Sequence, residues 1–348
     1  MKPLTLAEYE ALARDLLDTP VWDFCAGGAG EERTLGANVA AFDDVWLSPT
    51  VLRGAPVPDT VTQILGDRWA APLAIAPMAF HTLAHPDGEL ATVRAAASVG
   101  LPVVVSTMAG RRFEELSEAA GAPLWLQVYC LRERSRTQRL VERAERAGMS
   151  ALVLTVDTPR FGRRLRDVRN DFRLPPGITA VNLDRGDFYS PAAHASAELD
   201  PALDWSVVDW LRSISSLPVL VKGILTIKDA ELAVRAGVDG IVVSNHGGRQ
   251  LDGVPATFHV LRDIVAAVAG GCPVLVDGGI RRGRDVLACL AAGAAAVLVG
   301  RPILYGLAVD GQDGAAAVLG ILVDELTDAM CLAGAPSIAD IHPGLIGH

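Results

Sequence analysis

The chain has 348 residues, and 31 Lys plus Arg against 41 Asp plus Glu give a formal charge of −10 at pH 7. Half of it is hydrophobic and only 5% aromatic, so the core is aliphatic and large enough to exclude disorder. The acidic balance offers no overall field for a nucleic-acid backbone.

Residues 1–18 read as a charged helix around Leu4, Tyr9, Leu12 and Leu16, without the apolar stretch and cleavage pattern of a signal peptide. The five cysteines show no C-x-x-C spacing, which points to neither a disulfide framework nor a metal site and places the chain in a reducing cytoplasm. The longest uncharged run, 286–300, is too short for the ~20 residues that span a bilayer, and Gly293 divides it into a helix end and a strand. No membrane association is expected.

Residues 1–70 form an extension with a helix, a Gly-rich turn and short strand candidates near 45–47 and 61–65. From residue 71, short β-branched runs alternate with helical patterns: 73–76, 103–105, 124–128, 151–156, 218–221, 240–243, 273–276 and 296–299. Runs apolar on both faces suit a parallel sheet covered by helices. Eight such units predict an α/β fold, a (β/α)₈ TIM barrel, over 71–310, with C-terminal helices over 311–348 and the whole chain one functional domain. The extension is expected to cover the N-terminal end of this barrel. The phrase Ala-Gly-x-x-(Ala/Gly) at 147–151, 236–240 and 292–296 recurs at the helix-to-strand joint, where Gly closes the helix in the left-handed conformation. Residues 175–201 form a long connection between the fourth and fifth strands, expected to be a lid or disordered.

Chemistry in such a barrel sits at the C-terminal ends of the strands. The residues there are polar: Ser106, Gln127 and Tyr129, Thr155 and Asp157, Lys222, Ser244-Asn245-His246, Asp277-Gly278-Gly279, and Gly300-Arg301. Glycine turns after the seventh and eighth strands, with Arg281 and Arg301, are placed to bind a phosphate. Gly27-Gly28-Ala29-Gly30 follows a helix rather than a strand, so it reads as a loop and not a dinucleotide fingerprint. His246, with Arg249 across two glycines, can present a base and a carboxylate clamp to one point, and Asp157 can orient the imidazole. Lys222 can face a planar cofactor that develops negative charge, with Schiff-base chemistry its competing use. Of the arginines at 160, 163, 164, 166, 169 and 173, most read as surface, and Arg164 can reach the site mouth.

S-N-H-G-G-R-Q-L-D, L-V-K-G, L-T-V-D-T-P-R-x-G-R-R and V-D-G-G-I-R-R-G together resemble the FMN-dependent 2-hydroxy-acid oxidases and dehydrogenases, over nearly the whole length. The resemblance implies a barrel that binds FMN non-covalently and oxidises an (S)-2-hydroxy acid to the 2-oxo acid. It implies that His246 is the base with Asp157 as its partner, that Arg249 and Tyr129 hold the substrate carboxylate, and that Lys222 lies beside the flavin. The FMN contacts it implies are Pro77, Met78, Ala79, Ser106, Gln127, Tyr129, Thr155, Lys222 and Ser244, with Asp277, Gly279, Arg281, Gly300 and Arg301 at the phosphate. Phe24 stands where many members carry a tyrosine, and Met108 where glycolate oxidases carry a tryptophan. With Ala76-Pro77-Met78-Ala79-Phe80-His81, these departures make the 4-hydroxymandelate oxidases of antibiotic pathways the most similar subgroup. That subgroup implies 4-hydroxymandelate or mandelate as substrate, oxygen as acceptor, and a homotetramer or homo-octamer. The alternatives are a lactate or glycolate oxidase or a mandelate dehydrogenase of the same family, and, from another class, an FMN-barrel isomerase or a non-catalytic flavin-binding protein.

Overall fold

A computed structural model describes residues 2–54, 57–183 and 190–347. Strands β1 (Thr62–Ile64) and β2 (Asp67–Trp69) form an antiparallel hairpin. The next eight strands are β3 (Leu73–Ile75), β4 (Val103–Ser106), β5 (Leu124–Val128), β6 (Ala151–Thr155), β7 (Val219–Ile224), β8 (Gly240–Val243), β9 (Val274–Asp277) and β10 (Ala296–Val299). They pair in parallel, in chain order, and β10 closes on β3. All eight anticipated runs are therefore barrel strands. Lys222 lies within β7 rather than beyond it.

Helices α1 (Leu6–Leu16), α2 (Thr19–Ala26) and α3 (Arg33–Ala40) precede the barrel. Around it run α4 (Glu89–Ser98), α5 (Phe113–Ala119), α6 (Arg134–Arg146), α7 (Leu165–Arg169), α8 (Pro191–Glu198), α9 (Ser206–Ile214), α10 (Ile227–Arg235), α11 (Thr257–Val268), α12 (Gly283–Ala291) and α13 (Arg301–Ala333). The helical geometry of α13 breaks at Asp310 and Gly311. The recurrent joint glycines Gly148, Gly237 and Gly293 have φ of 86°, 71° and 101°, a region that only glycine enters without cost. No described helix is long and apolar enough to cross a membrane.

Successive side chains on a strand point to opposite faces. Accordingly Leu73, Ile75, Val103, Val105, Leu126, Leu152, Leu154, Val219 and Val221 pack outward in the helix-facing core. Ala74, Val104, Trp125, Ala151, Val153, Leu220, Val242, Leu275 and Leu298 pack inward in a second core, together with Ile64 and Trp69 of the hairpin. Trp69 meets Trp125 at 5.2 Å between ring centroids. Asp67 accepts hydrogen bonds from Trp125 Nε1 (2.9 Å) and Ser150 Oγ (2.7 Å), fastening the hairpin under the barrel.

The extension departs from expectation in three ways. Only the β1–β2 hairpin closes the N-terminal end, while α2, α3 and their connecting loop lie against the opposite, C-terminal face. Residues 45–47 form no strand, only a bridge from Leu47 to Ile346. The buried face of α1 is Leu6, Tyr9 and Ala13, with Leu4, Leu12 and Leu16 exposed. The connection over 175–201 contains α8, opened by Pro191 and by the Ser190 hydroxyl accepting from the Ala193 N–H; 184–189 lie outside the described residues.

Asp67→Ala removes the partner of a buried indole N–H, so it should destabilise the protein by about 1–3 kcal/mol. Urea unfolding against the parent measures this.

Candidate active site

Extending the inward positions two residues along each strand leads from Val104 to Ser106, from Trp125 to Gln127, from Val153 to Thr155, from Leu220 to Lys222, from Val242 to Ser244 and from Leu275 to Asp277. The uppermost layer of the barrel interior is thus polar, and it floors a cavity at the C-terminal face with about 1160 Å³ of atom-free space, counting its open mouth. Its polar side chains are cross-linked. Gln127 donates to Thr155 Oγ1 (3.0 Å) and accepts from Ser106 Oγ (3.3 Å) and the Thr107 N–H (3.2 Å). Lys222 Nζ donates to Ser244 Oγ (2.9 Å) and meets Asp277 Oδ2 at 3.0 Å.

The cavity is lined by Phe24, Pro77, Met78, Ala79, Ser106, Met108, Gln127, Tyr129, Thr155, Arg164, Lys222, His246, Arg249, Asp277, Gly279, Arg281, Gly300 and Arg301. Two further anticipated residues stand behind it: Ser244, holding Lys222, and Asp157, holding His246. Asp277, expected at the phosphate end, pairs with the Lys222 ammonium through Oδ2 and leaves Oδ1 buried at the cavity without a partner. Cys25, Phe80 and Phe161 also line the cavity; Phe80 lies in the 76–81 run that carries the resemblance but has no site role implied by it, and the sequence pattern singles out neither Cys25 nor Phe161. Burial pushes the Cys25 thiol up to about 11, which keeps it protonated and unreactive.

His246 has φ of 60°, an uncommon backbone for a non-glycine residue and of the kind that concentrates at functional sites. Its Nδ1 lies 2.9 Å from Asp157 Oδ1, and its Nε2 lies 3.4 Å from Tyr129 Oη. A carboxylate only accepts, so Nδ1 carries the proton and the Nε2 lone pair faces the cavity. Gly223 makes room for this pair, since a Cβ there would stand 2.7 Å from Asp157 Cβ. Burial disfavours the Asp157 carboxylate, but the charge and hydrogen bond of His246, Lys222 and the Thr158 hydroxyl outweigh it and hold the carboxyl below its usual range. Burial lowers the His246 pKa; Asp157 opposes this, and Lys222 and Arg164 add to it. The imidazole is therefore neutral at pH 7.

Three arginines converge on the same space. Arg249 Nη1 donates to the carbonyls of Phe24 and Gly27, each at 2.8 Å, and Arg301 Nη2 donates to Gly27 O at 2.9 Å. The loop after α2 thus serves the site as a set of carbonyl acceptors. Burial and the neighbouring Arg164 lower Arg249 to about 9, and burial with Arg249 lowers Arg301 to about 10. Arg164 is 7% exposed, lies 4.8 Å from the centroid of Phe161, and has a buried Nε without a partner, as does Arg301. Crowded, incompletely bonded guanidiniums of this kind are matched to anions entering the cavity. The glycine turns after β9 and β10 supply backbone N–H groups beside them, and Gly279 admits no side chain because a Cβ would overlap the Asn38 carbonyl. Cationic groups, close-approach glycines and a polar floor fit a flavin with its phosphate.

Comparison with known proteins agrees. The FMN-dependent dehydrogenase family matches residues 13–348. The chain is 48% identical to the 4-hydroxymandelate oxidase of Amycolatopsis orientalis, over 97% of this chain and 96% of that one. It is 47% identical to the L-lactate oxidase of Nostoc sp., over 97% and 96%. It is similar to a solved mandelate oxidase with (S)-4-hydroxymandelic acid, at a TM-score of 0.93 and 47% identity over 98% of each chain. FMN is this protein's cofactor, and the chain belongs to the FMN-dependent dehydrogenase family.

Proposed function

We propose that the protein oxidises an (S)-2-hydroxy acid bearing an aryl group, mandelate or 4-hydroxymandelate, to the 2-oxo acid, with oxygen as the final acceptor. The observation that carries the aryl choice is the apolar part of the cavity lining, Phe24, Phe80, Met108 and Phe161: the Phe24 ring lies 5.3 Å from the Arg249 guanidinium, is stacked on Phe172 at 4.6 Å, and brings no hydroxyl. The names of the 4-hydroxymandelate and mandelate oxidases support it. The oxidase names among the relatives support oxygen as acceptor. The cysteine pattern supports a cytoplasmic setting, the family resemblance a homotetramer or homo-octamer, and the subgroup resemblance a place in antibiotic synthesis.

FMN, when bound, supplies the two-electron oxidation. Arg249 anchors the substrate carboxylate by a charge-assisted hydrogen bond, and Tyr129 donates its hydroxyl to the same end. Its phenol is held well above the usual range, first by burial and then by Asp157, so it stays a donor. His246 takes a substrate proton at Nε2 while Asp157 stabilises the imidazolium that results. Lys222, held by Ser244 and Asp277, keeps a fixed positive charge at the cavity floor.

Anaerobic mixing with (S)-mandelate should bleach the flavin; an isomerase or a passive flavin carrier would leave it yellow. His246→Asn should retain FMN and slow that bleaching by at least ~100-fold, and a rate near the parent's removes His246 as the base. Because the base works neutral and its pKa is depressed, kcat/KM should fall as pH drops through a value below 6.5. Asp157→Asn, which removes the charge that raises the His246 pKa, should move this acid limb to lower pH and reduce kcat.

Burying a phenyl ring contributes roughly 1.5–3 kcal/mol, on the order of tenfold to a hundredfold in rate constant. Mandelate and 4-hydroxymandelate should exceed lactate and glycolate in kcat/KM by that factor, and Met108→Trp should shrink the preference by refilling the space. A short aliphatic acid winning the panel would give the lactate-oxidase reading instead.

A further inference from the structure

Two turns at the rim of this site come from different strands: 245–249 after β8 carries His246 and Arg249, and Gly278-Gly279 after β9 is one of the glycine turns placed to bind the phosphate. A residue from outside the barrel lies between them. Asn38, on α3, is 2% exposed and forms a reciprocal amide pair with Asn245, itself 3% exposed. Asn38 Nδ2 donates to Asn245 Oδ1, and Asn245 Nδ2 donates to Asn38 Oδ1, both at 2.8 Å.

Neighbours settle the orientation of both amides. Asn245 Oδ1 also accepts from the Gly248 N–H (3.1 Å), and its Nδ2 also donates to Pro255 O (3.1 Å), so this amide cannot turn over without losing both. Asn38 Oδ1 accepts from the Thr257 N–H at 3.3 Å, which orients the second amide, and the Thr257 hydroxyl donates to Asp277 O at 2.5 Å. On the other turn, Gly278 and Gly279 have φ of 102° and 85°. A Cβ on Gly278 would stand 3.3 Å from Asn38 Nδ2, and one on Gly279 would overlap the Asn38 carbonyl. One side chain and its own backbone therefore contact the catalytic turn and the phosphate turn together, without lining the cavity.

We infer that Asn38 is a positioning residue that holds the His246–Arg249 turn and the phosphate turn in fixed register, so that FMN retention and the geometry of the proton acceptor depend on the same amide pair. The inference rests on the proposed roles of His246 and Arg249 for its catalytic half, and on the FMN site alone for the other. Two acceptors facing one another across 2.8 Å repel, and a buried donor left unbonded is costly. Asn38→Asp keeps the shape of the side chain and replaces its donor with an acceptor opposite Asn245 Oδ1; Asn38→Ala removes the pair without adding a charge.

The test uses both variants as holoenzymes. FMN release is followed as the rise in free flavin fluorescence, and flavin reduction by saturating mandelate is followed anaerobically with FMN in excess. Losing a buried amide partner should accelerate release and slow reduction, each by about tenfold or more, with a larger change in kcat than in KM. Far-UV circular dichroism and thermal unfolding are recorded alongside. Parent-like release and reduction, even with a lowered Tm, would show a purely structural amide and overturn the inference. So would a change in one rate without the other, because the two turns would then be set independently. Release needs no substrate, and the bleaching of the parent by mandelate is scored separately, so failure of the hydroxy-acid reading and failure of the Asn38 inference are distinguishable.

Discussion

The pleat of a closed parallel barrel, with side chains alternating in and out at a period of two, is the constraint on which everything else in this protein depends. Once Val104, Trp125, Val153, Leu220, Val242 and Leu275 fill the interior, the residues two places on must point inward as well. Those are Ser106, Gln127, Thr155, Lys222, Ser244 and Asp277. The apolar lower layers and the Trp69–Trp125 plug keep water from the barrel interior below, and the polar layer becomes a floor whose groups must satisfy one another. They do so through the Gln127 and Lys222 networks. A change of register by one residue would turn all six outward into the helix-packed core.

Charge is managed by distance from that floor. Lys222 is compensated at once by Asp277, and His246 by Asp157, so these cationic or potentially cationic groups are fixed before any ligand arrives. Arg164, Arg249 and Arg301 instead meet backbone carbonyls, aromatic faces and the more distant carboxylates of Asp167 and Glu10. Burial and mutual repulsion depress Arg249 and Arg301, the signature of a site matched to anions. The fixed pairs hold the chemistry in place, and the crowded arginines provide affinity.

The N-terminal extension works at both ends of the barrel. Its hairpin closes the bottom through Asp67, Ile64 and Trp69, while α2, α3 and the loop between them bring carbonyl acceptors and Asn38 to the top. Residues 19–40 are therefore as much a part of the site as the strand ends are. That is why Gly27 has both a helix behind it and two arginines in front.

By itself the sequence determined the eight strands, their closure, the glycine joints and most of the cavity lining, because each depends on local properties: β-branched runs, left-handed glycines, and polar residues placed at strand ends. The residues that resemble the FMN-dependent dehydrogenases are legible for the same reason, since close approach to a phosphate or flavin demands particular residue types at short spacing. Tertiary structure alone decided what long-range pairing controls. It set the direction of the Asp277 carboxylate toward Lys222, the placement of α2 and α3 over the catalytic face, and the amide pair between Asn38 and Asn245, 207 positions apart. It also brought in Phe161, whose aromatic side chain looks like ordinary core until its loop carries it to the cavity. Local pattern records what a side chain can do; only the closed barrel brings the partners on which it acts within reach.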